Sequence, residues 1–384
     1  MEVYLDNSAT TQTDQEVVDL MVKVLRKDYG NPSALHQKGM DAEAYLKEAR
    51  ERIAGTLKAK SREIVFTSGG TEGNNLLVRG AAHANHRAGR HILTSPFEHA
   101  CVYESMRSLA EEGFEIEDLK VDGDGRINLE ELRSRIRPDT ILVSIMQINN
   151  EIGALQPLEE LGPLIKAVNP NCLFHTDAVQ SYGKVKIIPK DMGIDLLAAS
   201  GHKIHGPKGS GFVYIKDKCR VEPLLLGGGQ ERGLRSGTEN TAAIAGLGLA
   251  AEKICANLEE EQNRLYALKE HMVKSLSKIP GLTVNGRTGR DSAPQIISVS
   301  LAGVRAEVML HALEERGVYV SAGSACSSNH PRISRTLQAI GLNRDLLDST
   351  IRISLSVYTT MEEIDYACDC MEQLMPVLAR FRRH

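Results

Sequence analysis

LLAASGHKIHGPKG, Leu196–Gly209, passes from five small or apolar residues straight into a turn holding two lysines, two histidines and three glycines. The first part has the length and character of a buried strand. In open α/β sheets the chain leaving the C-terminal end of such a strand lines the ligand crevice. Six further runs between about residues 63 and 216 have the same character: EIVFTS, HILTS, FEIEDLKV, TILVSIM, LFHTDA and GFVYIK. Helical patterns separate them, most clearly PLEELGPLIKAV at 157–168. That alternation predicts the α/β class, with a mainly parallel sheet sandwiched between helices.

Working outward, Thr13-Asp14-Gln15-Glu16 has the form of a capping box. Val17, Leu20, Met21, Val24 and Leu25 follow at helical spacing, so a first helix is expected to end near Gly30. From Thr238 to about Ile279 the pattern is one long helix or a pair, and at Asn257 it changes from Ala/Gly-rich to charged. A domain boundary is placed there: 13–258 as a large domain, with 1–12 and 259–384 as a smaller α+β domain. The smaller domain is read from IISVSL, RAEVMLHALEERG, VYVSAGSAC, TIRISLS and TTMEEIDYACDCMEQLM, a mixture of strands and helices.

At 384 residues the chain is long enough for two cores. Its 46 basic and 50 acidic residues leave a net charge of -4, which gives no reason to expect nucleic acid or a membrane surface as partner and favours a small-molecule substrate. The start, MEVYLDNSATT, lacks the pattern of a signal peptide, and no run of about 18 apolar residues occurs. Seven cysteines, odd in number and without CxxC pairs, suggest neither disulfides nor a zinc site, and a reducing cytoplasm is expected. Cys101, Cys172 and Cys255 sit in apolar patterns, and Cys368 and Cys370 are expected on different faces of a terminal helix.

Two features point to chemistry. In SGGTEGNN, residues 68–75, Gly69, Gly70 and Thr71 fall between a strand and a helix, where exposed N–H groups and the positive helix end suit an anion such as phosphate. Neither GxGxxG nor GxxxxGK[ST] is present, so a dinucleotide or ATP bound through those motifs is not implied. The second feature is a pair: Asp177 ends LFHTDA and Lys203 lies just past LLAAS, so both can reach one cleft. A desolvated lysine can form a Schiff base with an aldehyde, and a carboxylate at strand depth can keep a pyridine nitrogen protonated. Lys208, between Pro207 and Gly209, reads as a solvated turn residue.

Together with EHA at 98–100, NNEIG at 149–153, HTDAVQS at 175–181 and GGGQERGLRSGTEN at 227–240, these motifs resemble the pyridoxal-phosphate cysteine desulfurases of the iron–sulfur-cluster and nitrogen-fixation type. The resemblance runs from YLDNSATT through TTMEEID, essentially the whole chain. It implies the fold type I, aspartate-aminotransferase-like architecture, pyridoxal 5'-phosphate as cofactor and a homodimer with sites at the subunit interface. It further implies Lys203 as the Schiff-base lysine, Asp177 as partner of the pyridine nitrogen, Gln180 on the phenolic oxygen and His99 stacked on the ring. Gly70, Thr71, Ser200 and His202 are implied as phosphate ligands, with Thr238 from the neighbouring subunit, and Asn150 and Arg352 as holders of the substrate carboxylate. Cys326, among the small residues of VSAGSACSSNH, is implied as the thiol that takes sulfur from L-cysteine as a persulfide, alanine being the product. The acceptor is expected to be a protein such as an iron–sulfur scaffold or a tRNA-thiolation enzyme, with no resident metal.

Related readings are a selenocysteine lyase, an aminotransferase of the same fold and a sulfur-relay scaffold without catalysis. VDGDGRINLEEL imitates an EF-hand through Asp122, Asp124, Gly125 and Glu131, but position 1 falls on Lys120, so a β-turn feeding a helix is expected. His83 and His86, three apart on a helix, lack a third ligand and read as a solvated face.

Overall fold

The computed structural model describes residues 1–322 and 334–381. Strand β1 (Val3–Tyr4) precedes helices α1 (Gln15–Arg26) and α2 (Gln37–Leu57). Then come β2 (Ile64–Thr67), α3 (Gly70–Asn85), β3 (His91–Thr94), α4 (Ala100–Glu111), β4 (Glu115–Asp118) and α5 (Leu129–Arg135). They are followed by β5 (Thr140–Ser144), α6 (Leu158–Val168), β6 (Leu173–Asp177), β7 (Leu196–Ser200) and β8 (Gly211–Ile215). Strands β2 to β8 form one seven-stranded sheet in the order β2-β8-β7-β6-β5-β3-β4. From β7 through β4 every pairing is parallel, and β8 is antiparallel to both its neighbours.

A parallel sheet covered on both faces needs strands apolar on both faces, and alternate residues here enter different cores. Leu197, Ala199 and Phe174 pack with residues of α1, α2, α6 and α7 (Thr241–Ala256). Leu196, Ala198 and Leu142 pack with Leu76, Leu77, Val102 and Met106 of α3 and α4. The sheet is thus a layer between two sets of helices.

After α7 the backbone breaks at Asn257 (φ -122°, ψ 38°) and α8 (Leu258–Leu276) begins. The remaining elements are β9 (Leu282–Asn285), β10 (Ile296–Leu301), α9 (Ala306–Glu314), β11 (Val318–Tyr319), β12 (Ser321–Ala322), α10 (Arg335–Ala339), β13 (Thr350–Ser354) and α11 (Met361–Leu378). An antiparallel sheet in the order β12-β13-β10-β9 packs against α8, α9 and α11 through a separate apolar cluster, which Val3 and Leu5 also enter. No helix among the described residues is long and apolar enough to cross a membrane.

Both expected ends of α1 change. Helix α1 is capped by Asp14, whose carboxylate accepts from Glu16 N at 2.9 Å, and not by a Thr13–Glu16 box. Tertiary contacts take the box residues instead: the Thr13 hydroxyl faces Gly206 O, and Glu16 pairs with Lys253 at 2.8 Å. The helix stops at Arg26 and not at Gly30. Gly30 is needed for a close approach, since a Cβ there would lie 1.9 Å from Lys38 O. Cys368 and Cys370 are both buried, because α11 packs against both α8 and α9. Asp122 is spent on a turn, accepting from Asp124 N and Arg126 N at 2.9 and 2.8 Å, and α5 follows with Asn128 as its cap. His83 pairs with Glu112 at 2.7 Å, and no group of three or more metal-ligating side chains occurs among the described residues.

Candidate active site

A cavity of about 430 Å³ opens where β6 and β7 end and α3 begins. Parallel strands send their C-terminal loops to one edge, so residues far apart in sequence meet there. Asp177, the last residue of β6, is 4% exposed. Val179 N donates to its Oδ1 at 2.9 Å and Asn74 Nδ2 to its Oδ2 at 2.8 Å. Burial pushes its carboxyl upward, while His99, these two hydrogen bonds and Lys203 pull the other way. Gln180 lines the cavity three residues later and donates to Ser8 O at 3.0 Å.

Lys203 closes a short 3-10 turn after β7, half-buried, and its Nζ donates to Ser8 O and, at 2.7 Å, to Ala9 O. His202 in the same turn shares a hydrogen bond with Thr10 Oγ1 at 3.2 Å, and burial pushes its imidazole down to about 4, so it is neutral at pH 7. Opposite this turn, Gly70 and Thr71 begin α3, with Gly69 as cap at φ 149°. A Cβ on Gly70 would fall 2.6 Å from Val179 Cγ2, so any larger residue there would force the valine side chain to move. With Ser200 and His202 across from it, this end of the cavity offers N–H and side-chain donors to an anion.

His99 caps α4. Its Nδ1 accepts from Cys101 N at 3.2 Å, which fixes that nitrogen as an acceptor, and Cys101 Sγ lies 3.0 Å from it. The preceding residue, Glu98, is buried and accepts at Oε1 from Ser95 Oγ and from Met146 N at 2.8 Å. Burial pushes this carboxyl up to about 8. On the far wall Arg352 of β13 donates to Asn150 O and to Asp6 Oδ1, both at 2.9 Å, while its buried Nε has no hydrogen-bond partner among the described residues. Asn150 also lines the cavity.

The fold thus brings together Gly70, Thr71, His99, Asn150, Asp177, Gln180, Ser200, His202, Lys203 and Arg352. Thr238 is exposed and lines a different depression, with Ser68 and Gly209. Cys326 lies outside the described residues. Sequence reasoning missed Asn74, Cys101, Asp6 and Ser8, all of which line the cavity. Asn74 was within reach, four residues after Gly70 and so one turn up the same face of α3. Cys101, assigned to an apolar pattern, instead faces the cavity because His99 ends the loop and starts the helix. Asp6 and Ser8 carried no local signal.

A family model described as aminotransferase class-V matches residues 3–367. The chain is 42% identical over 379 residues to a protein named cysteine desulfurase IscS from Dictyoglomus turgidum, the match covering 98% of this chain and 95% of that protein. It is also 42% identical over 377 residues to a cysteine desulfurase of Homo sapiens, covering 97% of this chain and 81% of the human protein. A solved structure described as a NifS-like protein superposes with a TM-score of 0.93 at 38% identity, covering 98% of this chain and all of that one. The chain belongs to the class-V aminotransferase family, with the fold type I α/β architecture.

Pyridoxal 5'-phosphate is the cofactor of this family, and the residues present fit it. The glycine-tight helix end suits the phosphate. Asp177, with both oxygens already accepting hydrogen bonds from the protein interior, keeps lone pairs for a ring N–H. Lys203 places an amine in the same cavity.

Proposed function

We propose that this protein is a cysteine desulfurase, converting L-cysteine to L-alanine and passing the sulfur through an enzyme thiol to acceptors for iron–sulfur cluster biogenesis. Pyridoxal phosphate, when bound, acts as an electron sink for the substrate carbon. The observation that carries the reading is the convergence of Lys203, Asp177, His99 and Arg352 on one cavity in a chain about 40% identical to named cysteine desulfurases over nearly its whole length.

In this reading Gly70, Thr71, Ser200 and His202 hold the phosphate, completed by Thr238 of the partner subunit in a homodimer. Asp177 keeps the ring nitrogen protonated, Gln180 bonds the phenolic oxygen and His99 covers the ring. Arg352 and Asn150 bind the carboxylate of L-cysteine; a guanidinium suits a carboxylate because two parallel N–H groups match its two oxygens. The Lys203 amine takes the substrate α-proton. Cys326 accepts the sulfur: its thiolate attacks the substrate sulfur, an S–S bond forms as the C–S bond breaks, and the carbon keeps that electron pair and takes a proton as the skeleton leaves as alanine. The protein then works in the cytoplasm, with a scaffold protein or a tRNA-thiolating enzyme receiving the sulfur.

The test is alanine release from L-cysteine by the purified, cofactor-loaded protein. Lys203→Ala is expected to lower it by at least about a thousandfold, and Cys326→Ala to abolish it while cofactor binding persists. Wild-type rates in either variant would overturn the assignment.

A further inference from the structure

Asn74 is wholly buried on α3, one turn above the anion-binding end, and faces the side of β6 that carries His175 and Asp177. Its two amide hydrogens have two acceptors: Asp177 Oδ2 at 2.8 Å and Cys101 Sγ at 3.4 Å. Its Oδ1 lies 3.1 Å from His175 Nε2, and His175 Nδ1 lies 2.8 Å from Ser144 Oγ, a contact made possible because Ser144 of β5 and His175 of β6 are cross-strand partners.

With Asp177 as the acceptor that the cofactor reading requires, the directions of the neighbouring hydrogens follow. Asp177 as an anion can only accept, so Asn74 presents its nitrogen and its oxygen turns to His175. His175 Nε2 then carries the hydrogen, its Nδ1 is bare, and the Ser144 hydroxyl donates to it. On the other branch Cys101 Sγ accepts from Asn74 and lies 3.0 Å from His99 Nδ1, whose lone pair accepts from the Cys101 backbone N–H.

We propose that Asn74, held by His175 and Ser144, is the positioning residue that keeps Asp177 an acceptor for the cofactor ring and ties it to His99 through Cys101. The proposal rests on the pyridoxal-phosphate reading of the cavity. Burial alone favours the neutral acid, so the interior must supply donors, and two fixed ones are Asn74 Nδ2 and Val179 N. His175 is a suitable anchor because burial pushes its imidazole down to about 3, leaving it neutral at working pH. The titratable groups that act on Asp177 are His99 from the start of α4, Glu98 before it and Lys203 from the turn after β7.

Asn74→Asp places a second carboxylate against Asp177, and two carboxylates at hydrogen-bond distance share a proton. In the holoenzyme this variant and Asn74→Leu are expected to lose about tenfold to a hundredfold in cofactor affinity and in kcat, the worth of one hydrogen bond to a buried charge, with KM for L-cysteine nearly unchanged. The pH dependence of the bound-cofactor absorbance is expected to shift with them. In the apoenzyme, carboxyl ¹³C NMR is expected to show Asp177 titrating higher in Asn74→Leu than in wild type. His175→Phe is expected to move the same observables partway and His175→Gln, which restores a donor, to return them. Wild-type cofactor affinity and spectra in the Asn74 variants overturn the proposal, as do identical spectra in the two His175 variants should the Asn74 variants fail to fold. If wild type itself binds no pyridoxal phosphate, the cofactor reading falls, and the apoenzyme NMR still tests the hold of Asn74 on Asp177.

Discussion

The two sheets contribute to the cavity in opposite ways. The seven-stranded sheet supplies groups from its ends: Asp177 and Ser200 terminate β6 and β7, and Lys203 sits in the turn beyond. The four-stranded sheet supplies Arg352 from the middle of β13. A parallel strand covered by helices on both faces has no free face from which a mid-strand side chain could reach a ligand, so chemistry is left to the loops. In β13 one face suffices for the core: Ile351 and Ile353, with Leu355 just past the strand, join the apolar cluster, while Arg352 and Ser354 point the other way, to Asp6, Asn150 and the N-terminal segment. Position at the cavity therefore follows from topology in one sheet and from side-chain alternation in the other.

Arg352→Lys breaks this comparison most directly. A lysine cannot reproduce the fork that now spans Asp6 and Asn150 O, and KM for L-cysteine is expected to rise by about tenfold to a hundredfold with cofactor absorbance unchanged. Loss of cofactor instead would mean that the small sheet shapes the cofactor end as well.

Buried charge sharpens the contrast. Glu98, under the large-sheet side of the cavity, has a carboxyl raised to about 8 by burial. Between the usual glutamate value and about 8 the unfolded chain has lost a proton that the native state keeps, so stability falls through that window as pH rises and is flat above it. Glu98→Gln, a mimic of the protonated acid, is expected to melt no higher than wild type at pH 4 and several degrees higher at pH 8. An advantage independent of pH would remove Glu98 as the cause.

Lys269 is the small-sheet counterpart, 1% exposed, donating to Ser292 Oγ and Ala293 O at 2.7 Å, with its ammonium pushed down to about 7 by burial. Here the sign reverses. Below about 7 both states carry the proton and the full burial penalty is present; above it the unfolded chain alone stays charged and stability recovers. Lys269→Met is expected to compare best with wild type near pH 6 and to lose ground as pH rises to 9, by a few degrees in melting temperature. Unlike Lys203, Lys269 faces no cavity of the site, which makes it a test of burial without chemistry.

Much of this was legible beforehand because the signals are local. Strand runs, the glycine turn before α3, and an acid and a lysine at successive strand ends each declare themselves within a few residues, and the family resemblance supplied His99, Gln180 and Arg352. The start of α1 misled for the converse reason: Thr13 and Glu16 had the right spacing, but contacts with Gly206 and Lys253, far along the chain, outbid the local box. Cys101 misled because apolar periodicity cannot tell which turn of a helix ends at a cavity.

The amino-acid sequence by itself determined the α/β class, the order of the elements and the chemical types at the strand ends, since hydrophobic period and turn residues act over short range. Only the tertiary structure decided that Asp6 and Ser8 would reach the cavity and that one asparagine would stand between Asp177 and Cys101. These contacts join residues tens to hundreds of positions apart, and their hydrogen-bond directions exist only once burial has removed water as the alternative partner.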